Sequence, residues 1–110
     1  MEKFSLTAIG RNALEAARGS SNGRSAQTVY GGHEHVLRQT LIAMTLGTRL
    51  EEHESPGEAT VQVLQGRVVL TAGANSWEGS DGALLIVPSV RHALEALQDS
   101  IILLTVAKLA

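Results

Sequence analysis

The chain has 110 residues, with nine Lys or Arg against eleven Asp or Glu, so its formal net charge is -2. This length fits one domain that buries a hydrophobic core without covalent staples. Because the chain has no cysteine, a disulfide framework, a thiolate metal site and a cysteine nucleophile are excluded. An aromatic content of 3 % and the lack of a basic cluster argue against a nucleic-acid-binding surface.

Neither end of the chain has the pattern of a membrane or secretion signal. Residues 1–7 lack the apolar core of a secretory signal peptide. The apolar run 101–107 is too short to span a bilayer and contains Thr105, which is typical of a buried strand. We therefore expect a cytoplasmic protein that binds neither membranes nor nucleic acid.

The first predicted element is a short helix over residues 7–18. Its composition is rich in alanine, and Ile9, Ala13 and Ala17 recur on one face. Gly19 follows in the position that ends many helices. This pattern predicts one helix packed on the outside of the domain.

From residue 24 onward, short runs of β-type residues alternate with glycine, proline and aspartate. Many short strands at close spacing predict an antiparallel sandwich or barrel. We therefore divide the chain into an N-terminal helix and linker, residues 1–23, and a β domain, residues 24–110. The predicted strands span residues 24–30, 36–46, 49–53, 58–65, 67–71, 76–78, 83–87, 91–97 and 100–107.

Alternation with a period of two assigns side chains to the faces of these strands. Val61 and Val63 share one face of the strand 58–65. In the strand 91–97, His92 shares a face with Leu94. Each of these residues therefore has a definite side of its predicted sheet.

The strand before the Ser-Pro-Gly turn at residues 55–57 carries three polar side chains that matter for the site. Regular alternation places Glu51, His53 and Ser55 on one face. This face ends at the turn, so we expect the three side chains near one end of a barrel.

Two segments resemble the sequence motifs of small single-domain cupins of the RmlC-like type. Gly47, His53 and Gly66 match the first Gly, the first His and the final Gly of the first cupin motif. The second motif resembles residues 82–88, Gly-Ala-Leu-Leu-Ile-Val-Pro, followed by His92. The resemblance implies an all-β fold, a double-stranded β-helix (cupin or jelly-roll) barrel, here with a short N-terminal helix.

The resemblance also implies a metal site, which this sequence changes. Cupins usually hold a divalent ion with three His and one Glu, but here Ser55 and Ala59 occupy the positions of the second His and the Glu. His53 and His92 are retained, and Glu51 is the candidate substitute because it shares the predicted face of His53. A set of His53, His92 and Glu51 would suit Fe, Mn, Ni or Zn.

Three interpretations of these histidines remain open. In the first, the barrel binds a small polar or weakly anionic molecule without catalysing a reaction. In the second, it is a metal-dependent enzyme of dioxygenase or isomerase type with a non-standard ligand set. In the third, the histidines only line the barrel mouth and bond to neighbouring groups. For the first, the expected ligand-binding residues are His53, Ser55, Val61, Val63, His92 and Leu94, with Ile86 also inside.

Other polar residues leave alternatives. His33 and His35 share a face of a predicted strand end and either supply a missing ligand or are solvated. Arg38 shares a face with Ile42 and Met44. Facing inward, Arg38 would suit an anionic ligand; facing outward, it would be a surface charge on a sheet, which is the interpretation we favour.

The resemblance and the physics of sheet edges together predict a homodimer. Small cupins commonly pair through their sheet edges, and a small barrel has unclosed edges that can pair with a second copy. The N-terminal segment, residues 24–30 included, is the first candidate for the interface.

Overall fold

The computed structural model describes residues 2–53 and 57–108, with the side chains of residues 52 and 53 left out. Within this part of the chain there are one helix and nine strands, matching the predicted elements one to one. The bounds are α1 Leu6–Arg18, β1 Arg24–Gly31, β2 Leu37–Met44, β3 Arg49–His53, β4 Gly57–Gln65, β5 Arg67–Ala72, β6 Asn75–Ser80, β7 Leu84–Val87, β8 His92–Ala96 and β9 Ser100–Lys108.

The strands form two antiparallel sheets. The five-stranded sheet has the order β1-β2-β9-β4-β7, and the four-stranded sheet has the order β3-β8-β5-β6. The chain crosses repeatedly between the two sheets, which is the topology of a jelly roll. The predicted fold class, an all-β barrel with a short N-terminal helix, is confirmed. No helix among the described residues combines the length and the apolar character needed to cross a lipid bilayer.

One hydrophobic core fills the space between the sheets, because alternate residues of each strand point inward. Val61, Val63 and Leu94 are all less than 5 % exposed and belong to this core, on the faces predicted for them. The other buried members are Ile42, Met44, Ala59, Val68, Leu70, Val87, Ala96, Ile102 and Val106.

Ile86 does not line the interior, contrary to the sequence prediction. Its neighbour Val87 is 8 % exposed and belongs to the core, whereas Ile86 is 69 % exposed. Since neighbouring residues of a strand point to opposite faces, Ile86 lies on the outer face of β7.

A second core lies between α1 and the outer face of the five-stranded sheet. Leu14 and Ala17 of the helix pack with Leu41 of β2 and Ile101 of β9. Gly10 is buried there, and a Cβ at this position would lie 3.1 Å from the Ile101 side chain. The outer face of β2 and β9 is therefore apolar where α1 covers it.

Asp99 connects α1 to the loop between β2 and β3. Its Oδ1 accepts the Leu46 backbone N–H at 2.8 Å, and its Oδ2 pairs with Arg18 at 3.1 Å. The Leu46 hydrogen bond, followed by the Arg18 hydrogen bond, holds the pKa of Asp99 below its ordinary value.

The first prediction concerns Gly66, which joins β4 to β5 with a φ of 98°. A Cβ there would lie 2.5 Å from the Asp99 carbonyl oxygen and 2.8 Å from the Ser100 Cα, both backbone atoms. We expect Gly66→Ala to reduce the free energy of unfolding by about 3 kcal/mol. The control is Gly73→Ala, where φ is 59° and nothing lies within 4 Å of the added methyl; its cost should be about 1 kcal/mol. Equal losses in urea denaturation would contradict this account.

The second prediction uses the depressed pKa of Asp99. The stability that its ionised form contributes is present above the unfolded pKa, about 3.9, and is lost as the pH falls through the lower folded pKa. The difference in unfolding free energy between the wild type and Asp99→Asn should therefore be largest near neutral pH and shrink below about pH 4. Glu78→Gln is the control because it removes the exposed ion pair with Arg67 and should cost less than about 1 kcal/mol. A wild type to Asp99→Asn difference that is constant from neutral to acid pH would refute the role given to Asp99.

Candidate functional site

One end of the barrel carries the sequence-predicted site. The connections β1–β2, β5–β6 and β7–β8 lie at this end, where β3 also ends and β4 begins. In the five-stranded sheet, Val106 pairs with both Arg38 and Ala59, and Ala59 pairs with Val87. His92 starts β8 directly after the β7–β8 connection. We call these five inward positions, Arg38, Ala59, Val87, His92 and Val106, the mouth.

His92 is a buried polar side chain at the mouth, 6 % exposed. It shares the inner face of β8 with Leu94 and Ala96, as predicted. Its Nδ1 lies 2.8 Å from the Val90 carbonyl oxygen. A carbonyl can only accept, so Nδ1 is the donor in this contact. The hydrogen bond thereby fixes the orientation of this imidazole.

The backbone of His53 lies beside that of His92. The two residues pair in the β3–β8 ladder, although the register is irregular between Leu50 and His53. The fold therefore brings together the two histidine positions that the motifs singled out. The His53 side chain and all of Ser55 fall outside the described residues.

The predicted placement of Glu51 depended on regular alternation along β3. The irregular register between Leu50 and His53 interrupts that alternation. The Glu51 carboxylate is 79 % exposed and lies 3.2 Å from Arg49 Nε. Arg49 also pairs with Glu95. The Glu95 side chain lies on the outer face of β8, whereas those of His92 and Leu94 lie on the inner face. Arg49 thus engages this carboxylate at the protein surface.

The described residues do not by themselves fit a divalent metal ion. Ala59, at the position of the cupin Glu, presents a methyl group that is buried among Val87 and Val106. Within residues 2–53 and 57–108, apart from the two undescribed side chains, no three His, Cys, Asp or Glu side chains cluster to hold a metal. His92 is the one buried histidine among the described side chains.

His33 and His35 lie in the β1–β2 connection, and both are exposed. The His35 ring packs edge-on against Tyr30, with centroids 5.2 Å apart. This placement agrees with the solvated alternative rather than with a ligand role.

Arg38 faces inward, so the outward orientation that we favoured is wrong. Arg38 lies an even number of positions from Ile42 and Met44 along β2, so the three side chains share one face. Ile42 and Met44 belong to the inner core, and the β2–β9 pairing is regular throughout. The Arg38 side chain is half-buried.

Lys108 is a site residue that sequence reasoning missed. It follows Val106 by two positions on β9 and therefore shares the inner face. Its Nζ donates to the Gly32 carbonyl at 2.8 Å. The sequence does indicate this face, because Ile102, Leu104 and Val106 are alternate residues of one predicted strand and Lys108 is the next residue in that alternation.

A cleft of about 500 Å³ lies at the other end of the barrel, on the outside. It runs between α1 and the ends of β4 and β9, with an apolar floor and two arginines at its rim. The residues that define it are Leu6, Arg11, Leu14, Arg18, Leu64 and Ile101.

No protein-family model and no curated protein sequence matches this chain. Its structure is similar to that of a conserved Streptococcus pyogenes protein of unknown function, SPY1581. The TM-score is 0.76 and the identity 22 %, over 99 % of this chain and 89 % of that one. An alignment of this extent includes α1, so the helix belongs to the shared fold.

Two further structures show the same likeness. An RmlC-like cupin protein from Desulfovibrio desulfuricans has a TM-score of 0.74 and 24 % identity, over 97 % of this chain and 96 % of that one. A salicylate 1,2-dioxygenase from Pseudoaminobacter salicylatoxidans has a TM-score of 0.77 and 18 % identity, over 91 % of this chain but only 34 % of the enzyme. At such identities the likeness concerns the fold: this chain has the double-stranded β-helix fold of the RmlC-like cupins.

Proposed function

We propose that this cupin barrel binds a small organic molecule through its mouth. The observation that carries the proposal is His92, a buried imidazole held in one orientation at the edge of an otherwise apolar interior. A mostly apolar cavity with a few convergent polar groups is the usual composition of a ligand site.

The walls below the mouth suit the hydrocarbon part of such a ligand. Val61, Val63 and Leu94 form the inner surface of two facing sheets, and all are buried. These residues give a ligand an apolar environment, and the imidazole of His92 supplies a polar group at its edge. His53 and Ser55 remain proposed ligand contacts, since the backbone of His53 pairs with His92 and that of Gly57 with Lys108 at the same end of the barrel.

The second candidate is a metal-dependent enzyme of dioxygenase or isomerase type. The pairing of His53 with His92 in one ladder favours it, as does the likeness to a salicylate 1,2-dioxygenase. Such a site would need His53 and further ligands beyond the described side chains, with Glu51 as the carboxylate suggested by the sequence. Fe, Mn, Ni or Zn would then act as a Lewis acid.

We further propose that the protein is a cytoplasmic homodimer with β1 in its interface. β1 is an edge strand of the five-stranded sheet, and most of its residues are exposed. An unpaired edge of this kind can add a strand from a second copy.

The third prediction separates the binding barrel from the metal enzyme. Untagged protein is purified without chelator, incubated with Fe(II), Mn(II), Ni(II) or Zn(II), desalted and subjected to elemental analysis. The binding barrel predicts metal far below one equivalent, and the same value for His92→Ala. Near-stoichiometric metal that is lost in His53→Ala and His92→Ala, but kept in the exposed control His33→Ala, would establish the metal centre instead.

The fourth prediction tests ligand binding at His92. We expect neutral probes, namely butanamide, hexanamide and benzamide, to bind in NMR titrations with millimolar affinity. His92→Phe keeps an aromatic ring in place but removes the polar contact, so affinity should fall roughly tenfold. His35→Phe, the same change at an exposed ring, should leave the affinity unchanged. Equal losses in both variants would refute the role given to His92 in the proposed function.

A further inference from the structure

Two cationic side chains lie on the inner face at the mouth. Arg38 pairs directly with Val106 across the β2–β9 ladder, and Lys108 follows Val106 by two residues. Both side chains are half-buried. We call Arg38 and Lys108 the basic pair.

No carboxylate of the described side chains balances the basic pair on the inner face. The acidic strand residues with described side chains all lie outside. Glu51 pairs with Arg49, Glu78 pairs with Arg67, and Glu58 and Glu95 alternate with the inward residues Ala59 and Leu94. The inner face of the described strands therefore carries positive charge alone.

The Arg38 side chain makes no hydrogen bond or ion pair with any residue that the structure describes. A guanidinium that is partly removed from water without a counterion loses hydration free energy, and no described side chain compensates for this loss at Arg38. Its planar fork fits the two oxygens of a carboxylate. Lys108 uses one of its three donors on Gly32 and adds a second positive charge nearby.

We propose that the ligand of this barrel is an organic acid whose carboxylate binds Arg38, with Lys108 beside it. This inference rests on the proposed function, since it names the chemical class of the molecule bound at the mouth. Val106, which is buried beside the basic pair, and Val87, which is buried farther along the same inward row, suit the hydrocarbon part of an organic acid. A free phosphate has no such part, so we assign a carboxylate rather than an inorganic anion.

The test compares acids with amides of the same shape. Butanoate, hexanoate and benzoate are titrated by NMR against butanamide, hexanamide and benzamide. Each carboxylate should bind roughly tenfold or more tightly than its amide, a difference of about 1.4 kcal/mol. In Arg38→Met, which keeps the length of the side chain without its charge, this preference should disappear, whereas Arg38→Lys should retain part of it.

The matched control is Arg11→Met, which removes an exposed arginine at the rim of the cleft beside α1. It should keep the full carboxylate preference, and circular dichroism melts should confirm that each variant is folded. If amides bind at the mouth as tightly as carboxylates, the proposed function stands and the organic acid is refuted. If no probe binds, both fail. Loss of the preference in Arg11→Met, or binding of inorganic phosphate as tightly as hexanoate, also overturns the inference.

Discussion

The pairing of β9 with both β2 and β4 determines which side chains the barrel encloses. Arg38, Val106 and Ala59 form one inward row across these three strands, while Gln39 and Thr105 lie on the outer face, where their side chains share a hydrogen bond of 3.2 Å. A slip of one residue would exchange the two faces completely. The apolar wall, the cationic mouth and the surface that α1 covers all depend on this register.

The two ends of the barrel differ in how their polar groups are satisfied. At the end opposite the mouth, the hydroxyl of the fully buried Ser100 accepts the Arg67 N–H at 3.0 Å and lies 2.8 Å from the Gln98 carbonyl. Gly66 allows this close packing because it carries no side chain. At the mouth, Arg38 finds no such protein partner among the described residues. The hydrogen bonds of Ser100 stabilise its end of the barrel, whereas the proposed ligand site would use the guanidinium of Arg38.

The strands could be predicted from the sequence because glycines separate short runs of β-type residues. Alternation then predicted that the side chains of Val61 and His92 face the interior. Alternation gave the wrong face for Arg38, because β2 is apolar on both faces where α1 covers Leu41 and Ala43. Periodicity alone cannot say which of two apolar faces is inside. Ile86 failed for a related reason, since β7 carries apolar residues on its exposed outer face as well. The irregular register of β3 before His53 has no sequence signal, so the face of Glu51 could not be read from alternation.

The fold leaves many chemistries open, since one barrel can support unrelated functions. This chain combines a buried, oriented His92 with the inward Arg38, in a mouth where Ala59 occupies the position at which the cupin motif has a carboxylate. The most direct test is an NMR structure analysis with methyl-labelled Ile, Leu and Val and the probe hexanoate. Intermolecular NOEs from hexanoate to the methyls of Val87 and Val106, and none to Leu84 or Ile86 on the outer face of β7, are the expected result. NOEs to Leu64 and Ile101 in the outer cleft, or to Ile86, would contradict binding inside the barrel.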